Sequence, residues 1–210
     1  MASLMLDDIV IEQGQQRLLS LDTTVAPGEV LTVMGPSGVG KSTLLAFIAG
    51  FLNPAFQARG RVMLDETRID TLPAERRRVG VLFQDPLLFP HLDVGGNLAF
   101  GMAREGTRRQ RRERIHEALL SVGLEAFAGR DPATLSGGQK ARVALLRVLL
   151  SQPRAILLDE PFSKLDAERR GEIRHWVFER VRDHRLPTLM VTHDEADARA
   201  ADGRIVRLTE

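Results

Sequence analysis

No stretch of this chain limits its possible folds as much as Gly35-Pro36-Ser37-Gly38-Val39-Gly40-Lys41-Ser42-Thr43. It fits G-x-x-x-x-G-K-[ST], a glycine-rich turn that leaves a strand and enters a helix. Val30-Leu31-Thr32-Val33-Met34 just before it is a short apolar run with β-branched residues, as a buried strand requires. Leu44, Leu45, Phe47 and Ile48 just after it recur at helical spacing. The glycines let successive backbone N–H groups turn onto an anion, and the helix N-terminus adds the positive end of its dipole. Gly35 through Thr43 therefore predict a nucleoside triphosphate site. Lys41 is expected to reach the β- and γ-phosphates, and the Ser42 hydroxyl to ligate Mg²⁺.

A chain of 210 residues suits one domain, with room for subdomains, and is long enough for a real core. Its net charge of +1 argues against a nucleic-acid protein that works by bulk charge, so no nucleic-acid partner is expected. With no Cys, disulfides and thiolate metal sites are excluded. Asp7, Asp8 and Glu12 interrupt any apolar leader at the N-terminus, and no apolar run approaches the ~20 residues of a membrane span. The expectation is a soluble protein, or one peripheral to a membrane it does not enter.

Before the glycine-rich turn, Leu4-Met5-Leu6, Ile9-Val10-Ile11, Leu18-Leu19 and Val25 are punctuated by Asp7-Asp8, Gly14 and Pro27-Gly28, which reads as antiparallel strands. Gly60 to Asp65 and Val79 to Phe83 read as further strands, the second ending at Gln84. From Asp85 to about Leu150 the pattern turns helical. It includes a basic run from Arg104 to Arg114 that reads first as a solvated helix face, and an amphipathic helix from Lys140 to Leu150. Ala155-Ile156-Leu157-Leu158 is continuously apolar, as in a parallel strand covered on both faces. A helix over about 167–183 and a strand over Leu189 to Thr192 follow. Strands alternating with helices around a phosphate loop predict an α/β fold. Its mostly parallel sheet would be flanked by helices, with an antiparallel β-subdomain at the N-terminus and a helical insertion. The predicted layout is one domain over 1–210, with about 1–84 and 151–210 as the α/β core and about 85–150 as the helical subdomain.

Two further strings carry chemistry. Asp159-Glu160 closes the apolar run, where a phosphate-loop enzyme places an Asp that helps hold Mg²⁺. The next carboxylate, Glu160, can accept a proton from an attacking water, work that supplies ~10²–10⁴ in rate. Ser136-Gly137-Gly138-Gln139 places a hydroxyl and paired glycines at the head of a helix, a second anion-binding end. One nucleotide does not need both ends from one chain. Two chains packed head to tail, each lending its Ser136 end to the other's nucleotide, use both.

Taken together, these strings resemble the nucleotide-binding subunit of ATP-binding cassette (ABC) transporters. GPSGVGKST at 35–43 is similar to the family's Walker A, Gln84 to its Q-loop, and LSGGQKARVALLRVLL from Leu135 to its signature and following helix. ILLDEP at 156–161 is similar to Walker B with its catalytic glutamate, Ser163-Lys164-Leu165-Asp166 to the D-loop, and Val191-Thr192-His193-Asp194-Glu195 to the switch-histidine loop. The resemblance implies the P-loop ABC ATPase fold, with ATP and Mg²⁺ as ligands and Glu160, His193, Gln84 and Lys41 in catalysis. It implies nucleotide contacts from Gly35 to Thr43, from Ser136 to Gln139 and from Asp166, with Ser42, Gln84 and Asp159 on the metal. Gln84 would touch Mg²⁺ or the attacking water and report the γ-phosphate to the helical subdomain. Asp166 would bridge two copies.

The resemblance also implies partners: a second copy in a head-to-tail dimer, and permease subunits docked on Asp85 to Phe100. A periplasmic or extracellular solute-binding protein would act indirectly, and the subunit would sit on the cytoplasmic face of a bacterial inner membrane. Leu87, Leu88 and Phe89 fit either that docking groove or the core of the helical subdomain. FQDPLLFPHL and DPATLSGGQ look most like short bacterial importer subunits of the thiamine type and related uncharacterised systems. The chain ends soon after Ile205-Val206-Arg207-Leu208, so no C-terminal regulatory β-domain is expected. The family's DNA-repair and translation branches would need a long coiled-coil insertion between Gln84 and Ser136 or a second cassette, and neither is visible. Two positions depart from the pattern. Near Gln13-Gly14, where the family usually stacks an aromatic on adenine, there is none, and Lys164 replaces a usually small residue.

Overall fold

The computed structural model describes residues 2–102, 105–165 and 167–208. In chain order the strands are β1 (Leu4–Gln13), β2 (Gln16–Val25), β3 (Val30–Met34), β4 (Gln57–Leu64), β5 (Thr67–Arg68), β6 (Val79–Leu82), β7 (Ala155–Asp159), β8 (Thr188–Val191) and β9 (Ile205–Arg207). The α-helices are α1 (Lys41–Ala49), α2 (Val94–Gly101), α3 (Arg108–Leu120), α4 (Gly137–Leu150), α5 (Ala167–Asp183) and α6 (Glu195–Ala200). The chain divides into two compact units. One comprises Met1–Val81, Arg154–Glu160 and Arg174–Glu210, the other Leu82–Pro153 and Pro161–Ile173.

The first unit contains the antiparallel strands and most of the parallel sheet. Among the described residues, one sheet has the order β2-β1-β4-β5 and the other β6-β7-β8-β3-β9. In the second sheet β7 with β8, β8 with β3, and β3 with β9 all pair in parallel. Every residue of β3 and β8 is buried, as continuous apolar strands covered on both faces require. Leu31, Val33, Leu157, Leu189 and Val191 of that sheet join Leu4, Leu6, Ile9 and Ile11 of β1 and Leu44, Leu45 and Ile48 of α1 in one core. A parallel sheet together with an N-terminal antiparallel one is the α/β layout the sequence predicts.

Asp7-Asp8 does not end a strand; β1 runs through it. The pairing registers of β1 with both neighbours shift there, and Asp8 takes a positive φ of 49°. The reason is the burial pattern. Leu4, Leu6, Ile9 and Ile11 are all buried, and only one extra residue between Leu6 and Ile9 keeps all four on one face. Gly60 on β4 sits against this bulge, where a Cβ would lie 2.5 Å from the Asp8 carbonyl oxygen.

The second unit is helical. Val94 and Leu98 of α2, Ile115 and Leu119 of α3, and Val143 and Leu145 of α4 are buried, and α2 packs against α4. Arg108, Arg109, Arg112 and Arg114 of the basic run are exposed, and Arg111 donates to the Ala99 carbonyl; Arg104 lies outside the described residues. Leu87 is 59% exposed and Phe100 68%, while Leu88 and Phe89 are half-buried. The Phe89 and Phe100 rings meet with centroids 4.6 Å apart, so this stretch carries an apolar surface and is not simply core. Among the described residues no helix is long and apolar enough to cross a membrane.

Candidate functional site

The register of the parallel sheet explains why distant parts of the sequence meet. Val33 of β3 pairs with Val191 of β8, and Val191 pairs with Asp159 of β7. The carboxyl ends of three neighbouring strands therefore lie level, and the chain leaves each at the edge where open α/β sheets bind ligands. Gly35 follows β3, Glu160 follows β7, and His193 follows β8 two residues after Val191. Backbone bonds fix these exits: the Glu160 N–H donates to Val191 O and the Thr192 N–H to Val33 O.

At the phosphate loop, Gly40 caps α1 with φ 93°, a left-handed conformation that L side chains adopt only with strain. No side chain caps this helix, so its first-turn N–H groups are open to an anion. Lys41 is buried and donates from Nζ to the carbonyl oxygens of Gly35 at 2.8 Å and Pro36 at 2.7 Å. This draws its ammonium over the loop.

Ser42 Oγ donates to Asp159 Oδ1 at 3.0 Å. Burial raises the Asp159 carboxyl above its ordinary value and the neighbouring Glu160 adds to this; the Ser42 hydrogen bond and Lys41 pull the other way. A half-buried carboxylate beside another carboxylate is short of positive charge. Together with the Ser42 hydroxyl it forms a hard oxygen pair suited to Mg²⁺, which is commonly held by one or two carboxylates plus phosphate oxygens. Among the described residues no group of three or more His, Cys, Asp or Glu side chains could hold a metal by itself.

Glu160 has φ 43°, a strained conformation for a non-glycine residue and one that recurs at functional sites. Its Oε1 lies 2.8 Å from His193 Nδ1. A neutral imidazole that donates from Nδ1 to this carboxylate has an acceptor at Nε2, so a donor at Nε2 requires the imidazolium. Ser37, Gly38, Gly40, Lys41, Ser42, Thr43 and Glu160 line a cavity of about 460 Å³ together with Gln13, Leu18 and Phe56. Phe56 is the residue sequence reasoning missed, because it precedes β4 and belongs to no motif.

The remaining predicted residues lie in the second unit. Gln84 is exposed and follows β6. Ser136 caps α4 in a capping box: its Oγ accepts from the Gln139 N–H at 3.3 Å, and Gln139 Oε1 accepts from the Ser136 N–H at 2.9 Å. Gly137 and Gly138 form the first turn. Lys164 forms an ion pair with Asp85, and Asp166 lies outside the described residues.

The ABC transporter family model matches residues 18–163. The chain is 47% identical to the uncharacterized ABC transporter ATP-binding protein YnjD of Escherichia coli (strain K12), over 97% of this chain and 94% of that protein. It is 44% identical to the spermidine/putrescine import ATP-binding protein PotA of Frankia alni, over 88% of this chain and 39% of that protein. It is 46% identical to the Fe(3+) ions import ATP-binding protein FbpC of Mesorhizobium japonicum, over 86% of this chain and 50% of that protein. The chain thus spans nearly all of the first relative and half or less of the two import proteins. A solved dimer of the ATP-binding cassette MJ0796, in a post-hydrolysis state bound to ADP and Pi, matches with a TM-score of 0.81 at 32% identity, covering 100% of this chain and 94% of that one.

Proposed function

The chain belongs to the ABC transporter family as an ATP-binding subunit with ATPase activity, and from that premise we propose that two copies close head to tail around two ATP molecules to drive a membrane importer. The observation that carries this reading is the level ending of β3, β8 and β7, which brings the phosphate loop, Asp159, Glu160 and His193 to one edge. The dimer with ADP and Pi and the relatives named for import support the rest.

In this scheme the amides of Gly35 to Thr43 and the Lys41 ammonium hold the phosphates. Ser42 and Asp159, with Gln84 as a further ligand, would hold Mg²⁺, which would supply charge neutralisation on the phosphates. Glu160 takes a proton from the attacking water as the water oxygen bonds to the γ-phosphorus and the bond to the bridging oxygen breaks, releasing ADP and phosphate. His193 orients Glu160 through the 2.8 Å contact and, as imidazolium, donates from Nε2 to the γ-phosphate.

The Ser136–Gln139 end of α4 in one copy completes the charge neutralisation on the nucleotide of the other, and Asp166 bridges the two copies. Gln84 reports the γ-phosphate to the helical unit. The apolar surface at Leu87, Phe89 and Phe100 receives the permease subunits, and the protein works at the cytoplasmic face of a bacterial inner membrane beside a solute-binding protein. All of the chain acts as one cassette, the helical unit moving with nucleotide state.

Glu160→Gln tests the scheme. Its turnover should fall by about 10²–10⁴ while Mg–ATP binding persists, read by phosphate release alongside equilibrium binding. Undiminished turnover removes Glu160 from the chemistry.

A further inference from the structure

We infer that Phe56 is the stacking platform for the nucleotide base, with Gln13 and Leu18 completing the base subsite. This rests on the nucleotide reading above and goes beyond it by assigning the part of the cavity that the phosphate loop does not line.

The cavity lining has two chemically different parts. The phosphate loop and Glu160 supply the polar part of its lining; Gln13, Leu18 and Phe56 supply the rest, and Phe56 is the aromatic residue among them. A volume of about 460 Å³ exceeds what a triphosphate tail needs, and it falls within the range of pockets that enclose whole small ligands. Loop and helix α1 fix where the phosphates lie, so the base falls toward Gln13, Leu18 and Phe56.

Sheet register brings these three together. Ile11 pairs with Ala58 and Glu12 with Gln57 in the antiparallel β1–β4 ladder, so the ladder delivers the chain to Gln13 on one strand and from Phe56 on the other, and both line the cavity. On the other side of β1, Gln13 pairs with Gln16 and Glu12 with Arg17, which carries β2 into Leu18 beside them. Leu18 also packs against the phosphate loop, since a Cβ on Gly40 would lie 3.3 Å from Leu18 Cβ. It therefore joins the two parts of the lining.

A preorganised turn fixes Phe56. In Asn53-Pro54-Ala55-Phe56 the Phe56 N–H donates to Asn53 O at 2.9 Å, and the Ala55 N–H donates to Asn53 Oδ1 at 2.9 Å. Asn at the first turn position and Pro at the second suit this geometry. The ring is half-buried, anchored at its base while lining the cavity. An aromatic face accepts any nucleobase, so Phe56 supplies affinity. The Gln13 amide, with one acceptor and two donors, supplies selection at the base edge.

The test compares Mg–ATP with inorganic tripolyphosphate, which carries the phosphates without a base. Phe56→Leu keeps apolar bulk in the turn but removes the ring; Phe56→Trp keeps a π-face and adds a reporter beside the single native Trp176. We expect Phe56→Leu to bind Mg–ATP roughly tenfold more weakly and tripolyphosphate as the wild type does. Phe56→Trp should bind ATP like the wild type, with an added emission quenched by ATP and not by tripolyphosphate. If wild type and Phe56→Leu bind ATP equally, or if Phe56→Leu loses ATP and tripolyphosphate to the same degree, the role of Phe56 is overturned while the nucleotide site stands. If the wild type binds neither probe, the nucleotide reading fails and takes this inference with it.

Discussion

Helices α1 and α4 both begin where a phosphate is expected, yet they are finished in opposite ways. Helix α1 opens at Gly40 with no side-chain cap, and its first turn carries Lys41 and Ser42, the latter bonded to the raised Asp159 carboxyl. Helix α4 opens on the reciprocal box between Ser136 and Gln139, which already uses the Gln139 N–H. Forgoing a cap costs a helix about 1 kcal/mol, so α1 keeps its donors open at a standing cost to stability. Helix α4 offers an anion what the box leaves over: the Gly137 and Gly138 amides and the Ser136 hydroxyl proton. The difference gives an order of events. In the proposed scheme helix α1 would bind nucleotide in a single chain, and α4 would add to a nucleotide already held by the other copy.

Three experiments sharpen or break this contrast. The largest effect is at Lys41. Losing a hydrogen bond to a charged group costs about 1.5–3 kcal/mol, so Lys41→Ala should weaken Mg–ATP binding to the single chain roughly 10- to 100-fold. Ser136→Arg should leave that affinity in place and stop turnover. Equilibrium dialysis with a phosphate-release assay reads both, and equal loss of affinity in the two variants would erase the distinction between the helices.

A smaller effect separates capping from function at α4. Helix α3 carries the same box, between Thr107 and Gln110. Thr107→Ala and Ser136→Ala should each cost about 1 kcal/mol of stability in a denaturant titration, and only Ser136→Ala should slow ATP hydrolysis. Parallel losses of turnover would mean that the α4 box matters only as a cap.

The smallest effect lies beside α1. Burial and the nearby Glu160 hold Asp159 above its ordinary pKa despite Ser42 and Lys41, so the folded protein keeps that proton to higher pH than the unfolded chain does. The stability linked to the protonated form is present below the unfolded pKa and lost as pH rises through the raised folded value. At neutral pH the Asp159 charge is therefore destabilising. Without nucleotide, Asp159→Asn should melt above the wild type at pH 7, with the gap closing toward pH 4, although the variant loses Mg-dependent turnover. A lower melting point at pH 7 would mean that Asp159 is satisfied by its neighbours and not poised for a cation.

Much of this was legible in the sequence because it is local. The phosphate loop follows β3 into α1 directly, the unbroken run before Asp159 could only be a covered strand, and Ser136 announced the start of α4. Features set by pairing were not legible. Asp7-Asp8 looks like a break, because nothing within β1 shows that two neighbouring strands accommodate a bulge there. The Glu160–His193 contact spans 33 residues and exists because β7 and β8 are paired in register. Phe56 escaped notice for the same reason: only the β1–β4 ladder brings it to the cavity that Gln13 lines.

Mixing two inactive proteins tests the shared site most directly. Lys41→Ala damages the phosphate loop of its own chain, and Ser136→Arg damages the helix end lent to the other chain. If each nucleotide lies between copies, a mixed pair gathers both lesions in one site and leaves the other intact, so combining the two variants should restore ATP hydrolysis that neither shows alone. A mixture as inactive as its components, under conditions where mixed pairs are shown to form, would contradict the account.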